Sequence, residues 1–511
     1  MLNKKKYTMQ EISEEISKEK KHVLLQLPDK IDINFQLKDG RTALMFACCN
    51  NDLNIVKDLI DKGADVNLVE NEYKNSALFM SISKNKLEIS KYLINNGANV
   101  NLLNIYNENV LFWAVMHKNS ELVELLCNKG CNINIFNKKG EHPLFLAIKF
   151  KEYEIVKILI KYKANLEMKE NTYEDTPLLA SMKSEEIASL LIDSGANIHA
   201  ENKIKDTPIH IATLLNNFPI VKKLYEKGAD LNKLNVQSHN PIIFATGNGY
   251  IEIFKFLLDK NVNLNVVDVN KESLLNICII HNRLEMMELL IQKDNSLINN
   301  IDYNYRTPLT LAVTLNKIEF VELLLKYGAN PNPKKSVDYS PIHEAFIKYD
   351  KTGNNIEIIN LLIKYGVNKM HLLNMYIWFD KFEDIEPLIQ NNKYLINQRN
   401  TDYYTPLMFA ASQNKIKIVE LLLKYGANPN INNYSNRSPL FEAVYHQNYD
   451  MVQLLIKNGA DINLRETLST FIHNISIKYG NSILGYAKKT FNKPIIKSLE
   501  DLNAIEEYEV Y

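Results

Sequence analysis

The sequence predicts an all-α protein built as a stack of short helix pairs, and three observations predict it. A phrase returns along the chain about every 33 residues, from Asp61-Lys62-Gly63-Ala64-Asp65-Val66-Asn67 through Asn95-Asn96-Gly97-Ala98-Asn99-Val100-Asn101 to Lys457-Asn458-Gly459-Ala460-Asp461-Ile462-Asn463. A second phrase runs about 21 residues ahead of each glycine, as in Thr42-Ala43-Leu44, Thr207-Pro208-Ile209-His210 and Thr405-Pro406-Leu407. Between the two, apolar residues recur at helical spacing rather than in alternation.

Each unit begins with a helix start. A Ser, Thr or Asn side chain accepts from an orphan amide at the N-cap, and a proline in the next position has no amide to lose and a pre-set φ. Eight of the fifteen prolines occupy this slot, at 143, 177, 208, 241, 308, 341, 406 and 439. In the unit from Thr405 the pattern Leu407, Phe409, Ala410, Ala411 is followed by a polar turn at Gln413-Asn414-Lys415, then by Ile418, Val419, Leu421, Leu422, Leu423 and Gly426. The glycine supplies the left-handed residue that ends the second helix, and the Asn- and Asp-rich stretch beyond it is turn chemistry. Its slots fall at 63, 97, 130, 163, 195, 228, 261, 294, 328, 366, about 393, 426 and 459, which makes thirteen units. Isolated helices below roughly 12 residues are marginal in water, so stacking on neighbours has to supply the core.

This unit, with a Thr-Pro-Leu-His-x-Ala type start and a Leu-Leu-x-x-Gly-Ala-x-x-Asn end, resembles the ankyrin repeat over about residues 30 to 500. The resemblance implies a solenoid of helix pairs with projecting hairpin loops, its concave face made of loop tips and first helices. At about 10 Å per layer it implies one array on the order of 130 to 140 Å long. His210 and His343 fall where the family uses an imidazole to brace the cap residue and neighbouring loops. The organisation expected is an N-terminal segment and capping half-repeat over 1–37, repeats 1–10 over 38–369, a degenerate repeat and candidate hinge over 370–400, repeats 12–13 over 401–464, and a C-terminal cap with an acidic tail over 465–511.

The departures from the pattern carry expectations of their own. Lys163, Asn261 and Asp294 replace the left-handed glycine, and asparagine tolerates that conformation better than lysine. The unit from Thr176 is two residues short between cap and glycine, so its interhelix turn is trimmed. Lys348–Asn355 reads as an insertion between two helices, and the unit from His371 reads as having lost its cap-and-proline start. An extra segment intervenes between Leu464 and Gly480. Beyond it Leu484, Tyr486, Ala487, Ile495, Ile496 and Leu499 read as the apolar side of a terminal cap, with Lys488, Lys489, Lys493, Lys497, Glu500 and Asp501 facing water.

Composition narrows the function classes. Sixty basic and sixty acidic residues cancel, so no global field steers the chain to nucleic acid or anionic membrane. No window of 18 uncharged apolar residues occurs, and no apolar run follows the basic start, so neither secretion nor membrane spanning is expected. The five cysteines, at 48, 49, 127, 131 and 278, are odd in number and scattered, which points to free thiols in a reducing compartment. Six arginines against 54 lysines suggest an AT-rich coding genome, as in many viruses, protists and intracellular bacteria. The location expected is the cytoplasm, that of the host cell if the source is a virus or an intracellular bacterium.

Catalytic chemistry finds no constellation. Cys127 and Cys131 have no second pair to complete a zinc set, His343-Glu344 lacks the second histidine of a zincin, and no P-loop or Gly-x-Ser-x-Gly is present. The Gly247–Gly249 stretch reads as an interhelix turn. No enzyme activity, cofactor or metal is expected. The loops instead offer aromatic side chains near their tips: Tyr73, Tyr106, Phe136, Tyr173, Tyr303, Tyr305, Tyr339, Tyr403, Tyr404 and Tyr434. Tyrosine gives stiff contact area with a polar end, as binding hot spots use, although such rings also pack loop on loop. The leading expectation is a monomeric scaffold binding protein partners through the concave face and loop tips, with these residues as the candidates. An alternative is an adaptor that recruits a partner to a ubiquitin ligase through the C-terminal segment, although residues 465–511 lack a Leu-Pro start.

Overall fold

All eight prolines of the recurrent slot stand at the first residue of a helix. Where the capping residue is Thr, Ser or Asn, its side chain commonly takes an amide of the first turn, as Thr42 does for Met45 and Thr405 for Met408. The structure is a computed structural model that describes residues 32–302, 304–333, 340–352, 356–464, 469–472, 475–478, 482–490 and 492–504.

The chain divides into two compact units, one reaching to Val269 and one from Asn270. In the first, the helix pairs are Ala43–Cys49 with Leu53–Asp61, Ala77–Ser83 with Leu87–Asn95, Val110–Met116 with Ser120–Asn128, Pro143–Lys149 with Tyr153–Lys161, Pro177–Ser181 with Glu185–Asp193, Pro208–Leu214 with Phe218–Glu226, and Pro241–Asn248 with Ile251–Asp259. In the second they are Leu274–Ile280 with Leu284–Lys293, Pro308–Thr314 with Ile318–Lys326, Pro341–Thr352 with Ile356–Lys364, Lys369–Trp378 with Phe382–Asn391, Pro406–Ser412 with Ile416–Lys424, Pro439–Tyr445 with Tyr449–Lys457, and Ile483–Thr490 with Lys493–Asp501. Within each unit first helices stack on first helices and second on second. The apolar positions of the pattern are the core: Leu407, Ala410, Ile418, Val419 and Leu422 are fully buried, and so are their counterparts Leu44, Ala47, Val56 and Leu59. Full burial of one such Leu, Ile or Val contributes about 1.5–3 kcal/mol, which is what holds helices too short to stand alone.

In several units an asparagine four residues past the glycine ties the repeat to the next. Asn67 Oδ1 accepts from the Asn99 amide at 2.7 Å while its Nδ2 donates to the Gly97 carbonyl at 3.2 Å. Asn101 repeats the clasp on Asn132 and Gly130, Asn332 on Asn368 and Gly366, and Asn430 on Asp461 and Gly459. Glu167 makes the amide half of it, to Asn197.

Three expectations are corrected. Lys163 and Asn261 do take the left-handed conformation of the missing glycine, at φ 67° and 53°. Asp294 does not: it is extended at φ −149° and caps a 3-10 turn, Asn295–Asn299, by accepting from Ser296. Asn392 precedes the same kind of turn, Lys393–Asn397. Lys348–Thr352 do not form a loop between helices but lengthen the first helix to twelve residues, since no Gly or Pro interrupts the helix before Gly353. The rest of that stretch, 353–355, lies outside the described residues. The following pair has not lost its cap, because Asn368, two residues past Gly366, accepts from Met370 and His371 and starts the helix at once. What is lost is the projecting loop.

The extra segment after Leu464 carries a short antiparallel strand pair, Ser469–Ile472 with Ile475–Lys478. In the final helix pair Ile483, Leu484, Ala487, Ile495 and Leu499 are buried in the cluster that holds Phe441, Val444, Val452 and Leu455, with Tyr486 and Ile496 half-buried beside them. Lys489, Lys493, Lys497, Glu500 and Asp501 are exposed, whereas Lys488 is half-buried and pairs with Glu500 at 3.1 Å. The N-terminal half-repeat expected before residue 32 lies outside the described residues.

One cap departs in chemistry. His142 is wholly buried and its Nδ1 accepts from the Leu144 amide at 3.0 Å, in the slot that Asn109 and Asn240 fill elsewhere. Burial pushes this imidazole down from 6.5 to about 4. The unfolded chain therefore binds this proton more readily than the folded one, so stability rises with pH across that window and is lost as pH falls below about 6.5. His142→Asn should keep the cap and raise stability at pH 5 by roughly 2 kcal/mol relative to the parent, with little change at pH 7.5. Denaturant melts of both proteins at the two pH values check this, and equal acid sensitivity would reject it.

Candidate interaction surface

The loops between helix pairs are fingers wound around one side chain. Asn104 Oδ1 accepts from the amides of Tyr106 and Glu108, Asn137 from Lys139 and Glu141, and Asn400 from Asp402 and Tyr404. In the first unit adjacent fingers also share a backbone bond, such as Ile105 to Tyr73 and Val236 to Ile204. Each tip turns on a left-handed residue, and Gly40, Lys74, Asn107, Gly140, Glu174, Lys205 and Ser238 serve in the first unit. At Gly140 an added Cβ would meet the end of the Asn171 side chain, which would have to move aside. Bulky residues strain this conformation by about 1–3 kcal/mol, yet the second unit places Tyr305 (φ 60°) and Tyr403 (φ 63°) there.

The predicted aromatics divide by finger. Tyr73 and Tyr106 stack across two neighbouring fingers at 6.3 Å between centroids, both exposed. Tyr403 and Tyr434 meet across two others, with Tyr434 73% exposed and the Arg399 guanidinium 5.9 Å over the Tyr403 ring. Tyr173 and Tyr305 are exposed. Phe136 and Tyr404 are half-buried; Phe136 packs on His142, and burial pushes the Tyr404 hydroxyl up. Tyr303 and Tyr339 lie outside the described residues. Tyr305 and Tyr403 stand on separate fingers, with three helix pairs between them.

Beneath the fingers the braces are polar and closed. His210 Nδ1 accepts from the amide and hydroxyl of Thr207 at 3.1 and 2.8 Å, and its Nε2 donates to the carbonyls of Lys233 and His239 in the next finger at 2.9 and 3.1 Å. The His343 amide donates to Ser340 Oγ.

Models of "Ankyrin repeats (3 copies)" match residues 15–104, 99–170, 165–235, 232–302, 294–372 and 373–466. The chain belongs to the ankyrin-repeat family. Among solved structures this ankyrin-repeat chain is similar to the ankyrin repeat domain of Bcl-3, described as a unique member of the IkappaB protein family, at 21% identity and a TM-score of 0.39, covering 43% of this chain and all of that one. It is also similar to the human ASB11 ankyrin repeat domain, at 25% identity and a TM-score of 0.34, covering 40% and 90%. No curated protein sequence matches it.

The described part of the ankyrin-repeat chain holds no group of three His, Cys, Asp or Glu side chains placed for a metal, and no helix long and apolar enough to cross a membrane. Cys127 and Cys131 are buried, which pushes their thiols up to about 11 and 12. Sequence reasoning missed two features of this surface: the asparagine clasps, visible as the recurrent Asn after Gly-Ala-x-x, and the row of exposed aliphatics on fingers of the first unit, Ile204, Leu234, Val236, Val267 and Val269.

Proposed function

We propose that the protein is a non-enzymatic scaffold that binds protein partners through its finger tips and first helices, and that it acts in the cytoplasm as a monomer. Ankyrin repeats as a class are protein-interaction modules. The observation that carries the reading is the exposed cluster of Arg399, Tyr403 and Tyr434, in which a tyrosine is held in a strained tip position. Rings and a guanidinium grouped in this way are the side chains that dominate interface energies. Truncating a hot-spot ring costs about 2 kcal/mol or more, roughly thirty-fold in affinity. Affinity capture from the native cell with the parent chain and with a Tyr403→Ala, Tyr434→Ala chain, read by quantitative mass spectrometry, tests it. Partners should be depleted from the variant, whose melting curve should match the parent. Equal recovery would move the site off these fingers.

A further inference from the structure

Tyr173, Ile204, Leu234, Val236, Val267 and Val269 lie on four successive fingers of the first unit, and each is between 40% and 63% exposed. These fingers are joined edge to edge. The Lys203 amide donates to the Tyr173 carbonyl at 2.8 Å, the Val236 amide to the Ile204 carbonyl at 3.0 Å, and the Asn263 amide to Asn232 Oδ1 at 2.8 Å. Leu234 and Val236 flank the buried Asn235, and Val267 and Val269 flank the half-buried Asp268, so the strand period turns both members of each pair to one side.

The fold does not require apolar residues there. In the slot before the central residue, earlier fingers carry Lys169 and Glu201, and in the slot after it they carry Lys138 and Lys203. Single exposed aliphatics are ordinary, whereas a run of them over adjoining fingers marks a contact surface. Charge carries little of the selection: Lys169 pairs with Glu174 at 3.4 Å and Glu201 with Lys233 at 2.8 Å, which leaves Lys203 and Lys205 beside the ridge without a carboxylate among the described residues.

We propose that this ridge seats one amphipathic helix of a protein partner, laid across the four fingers with an aliphatic side chain facing them about every seven residues. The proposal rests on the scaffold reading and names a partner chemistry for it. Two magnitudes choose the occupant. Successive fingers are about 10 Å apart, and seven residues of α-helix rise about 10.5 Å, so one helix face meets every finger in turn. An extended strand covers that distance in about three residues and would turn alternate faces to successive fingers. A polyproline helix does repeat every three residues, but it docks in aromatic-lined grooves, and Tyr173 is the one aromatic of this ridge. The five aliphatics leave roughly 400 Å² open, in the range of a functional patch on a monomer. A stable dimer needs about 800 Å² from each partner, so the area fits a single helix rather than a second copy.

The test selects displayed libraries on the full chain, one of 24-residue helix-forming peptides and one of unpatterned 12-residue peptides. Synthesised winners are titrated against the parent and three variants. Val236→Lys with Val269→Lys places in each slot the residue type that 138 and 203 already hold. Val236→Thr with Val269→Thr trims the apolar surface alone and decides the matter if the lysine variant misfolds. Tyr403→Ala with Tyr434→Ala lies in the other unit. Winners should come from the helix library, carry aliphatics at seven-residue spacing and gain helical circular dichroism on binding. They should weaken about tenfold or more on the lysine variant, about threefold or more on the threonine variant, and not at all on the tyrosine variant. Equal affinity for the parent and both valine variants, winners from the short library alone, or no winners would each overturn the proposal. So would loss of binding on the tyrosine variant, which would place the peptides on the other unit. A parent that is dimeric by light scattering and becomes monomeric with Val236→Lys and Val269→Lys would overturn it in favour of a second copy. The scaffold reading is tested separately, by partner capture at Tyr403 and Tyr434, and stands or falls on that result.

Discussion

Deleting residues 465–511 is expected to turn the ankyrin-repeat chain into one that associates. Phe441, Val444, Val452 and Leu455 share a buried cluster with Ile483, Leu484, Ala487, Ile495 and Leu499 of the final helix pair. Without that pair they face water. At about 1.5–3 kcal/mol for each large apolar side chain, the uncovered burial is on the order of 10 kcal/mol, more than a terminal repeat holds in reserve. Exposed apolar area of this kind drives association. Light scattering on a sizing column should show aggregates, or hydrogen exchange should show the pair at 439–457 unfolded. Lys489→Ala with Lys497→Ala, on the exposed side, should leave both readouts unchanged. A soluble, folded truncation that had lost only a binding partner would refute the cap and support the recruiting role, including recruitment to a ubiquitin ligase.

His210→Ala is expected to be the most damaging single substitution outside the apolar core. The ring is fully buried and makes hydrogen bonds to both its own helix start and the next finger. Its removal strands the Thr207 amide and hydroxyl and the Lys233 carbonyl, each costing about 1–3 kcal/mol where water cannot reach, while the His239 carbonyl keeps the Asn235 amide. A total of roughly 3–4 kcal/mol follows after relaxation. Because repeat arrays seldom unfold in one step, exchange rates of amides over 208–240 are the direct readout. A loss below about 1 kcal/mol would show that the brace is redundant. Burial lowers the imidazole pKa, so the ring is neutral at pH 7, with its proton on Nε2. Acid should mimic the substitution.

Much of the fold was legible because the signals are local. A proline after Thr, a glycine after Leu-Leu and a polar turn between them fix helix ends whatever surrounds them, and Thr405–Gly426 folds as its residues predict. The misreadings arose where one local signal outranked another. The Lys348–Thr352 stretch is polar, yet polarity does not end a helix without a breaker. Asn368 sits close enough behind Gly366 to be mistaken for turn, although its side chain caps a helix. Spacing puts Asp294 in a glycine slot, whereas an aspartate gains more by capping the turn that follows it. At the candidate surface, the period placed tyrosines on fingers but could not tell neighbours apart. Tyr403 and Tyr404 are adjacent, and only the first is a tip residue. The shortened fifth unit could be counted in the sequence.

The asparagine clasps also bear on how the gene for such a chain can change. Asn67, Asn101, Asn332 and Asn430 each engage the same two backbone groups of the following repeat, so the two ends of these units carry matching connectors. Excising or duplicating one whole unit by unequal recombination leaves a connector facing a connector, with no stranded amide at the join. Point insertions are tolerated elsewhere, within the helix pair, as the twelve-residue helix from Pro341 shows. Copy number can therefore vary between generations while the repeat itself stays fixed, and the reach of the finger surface becomes a heritable length.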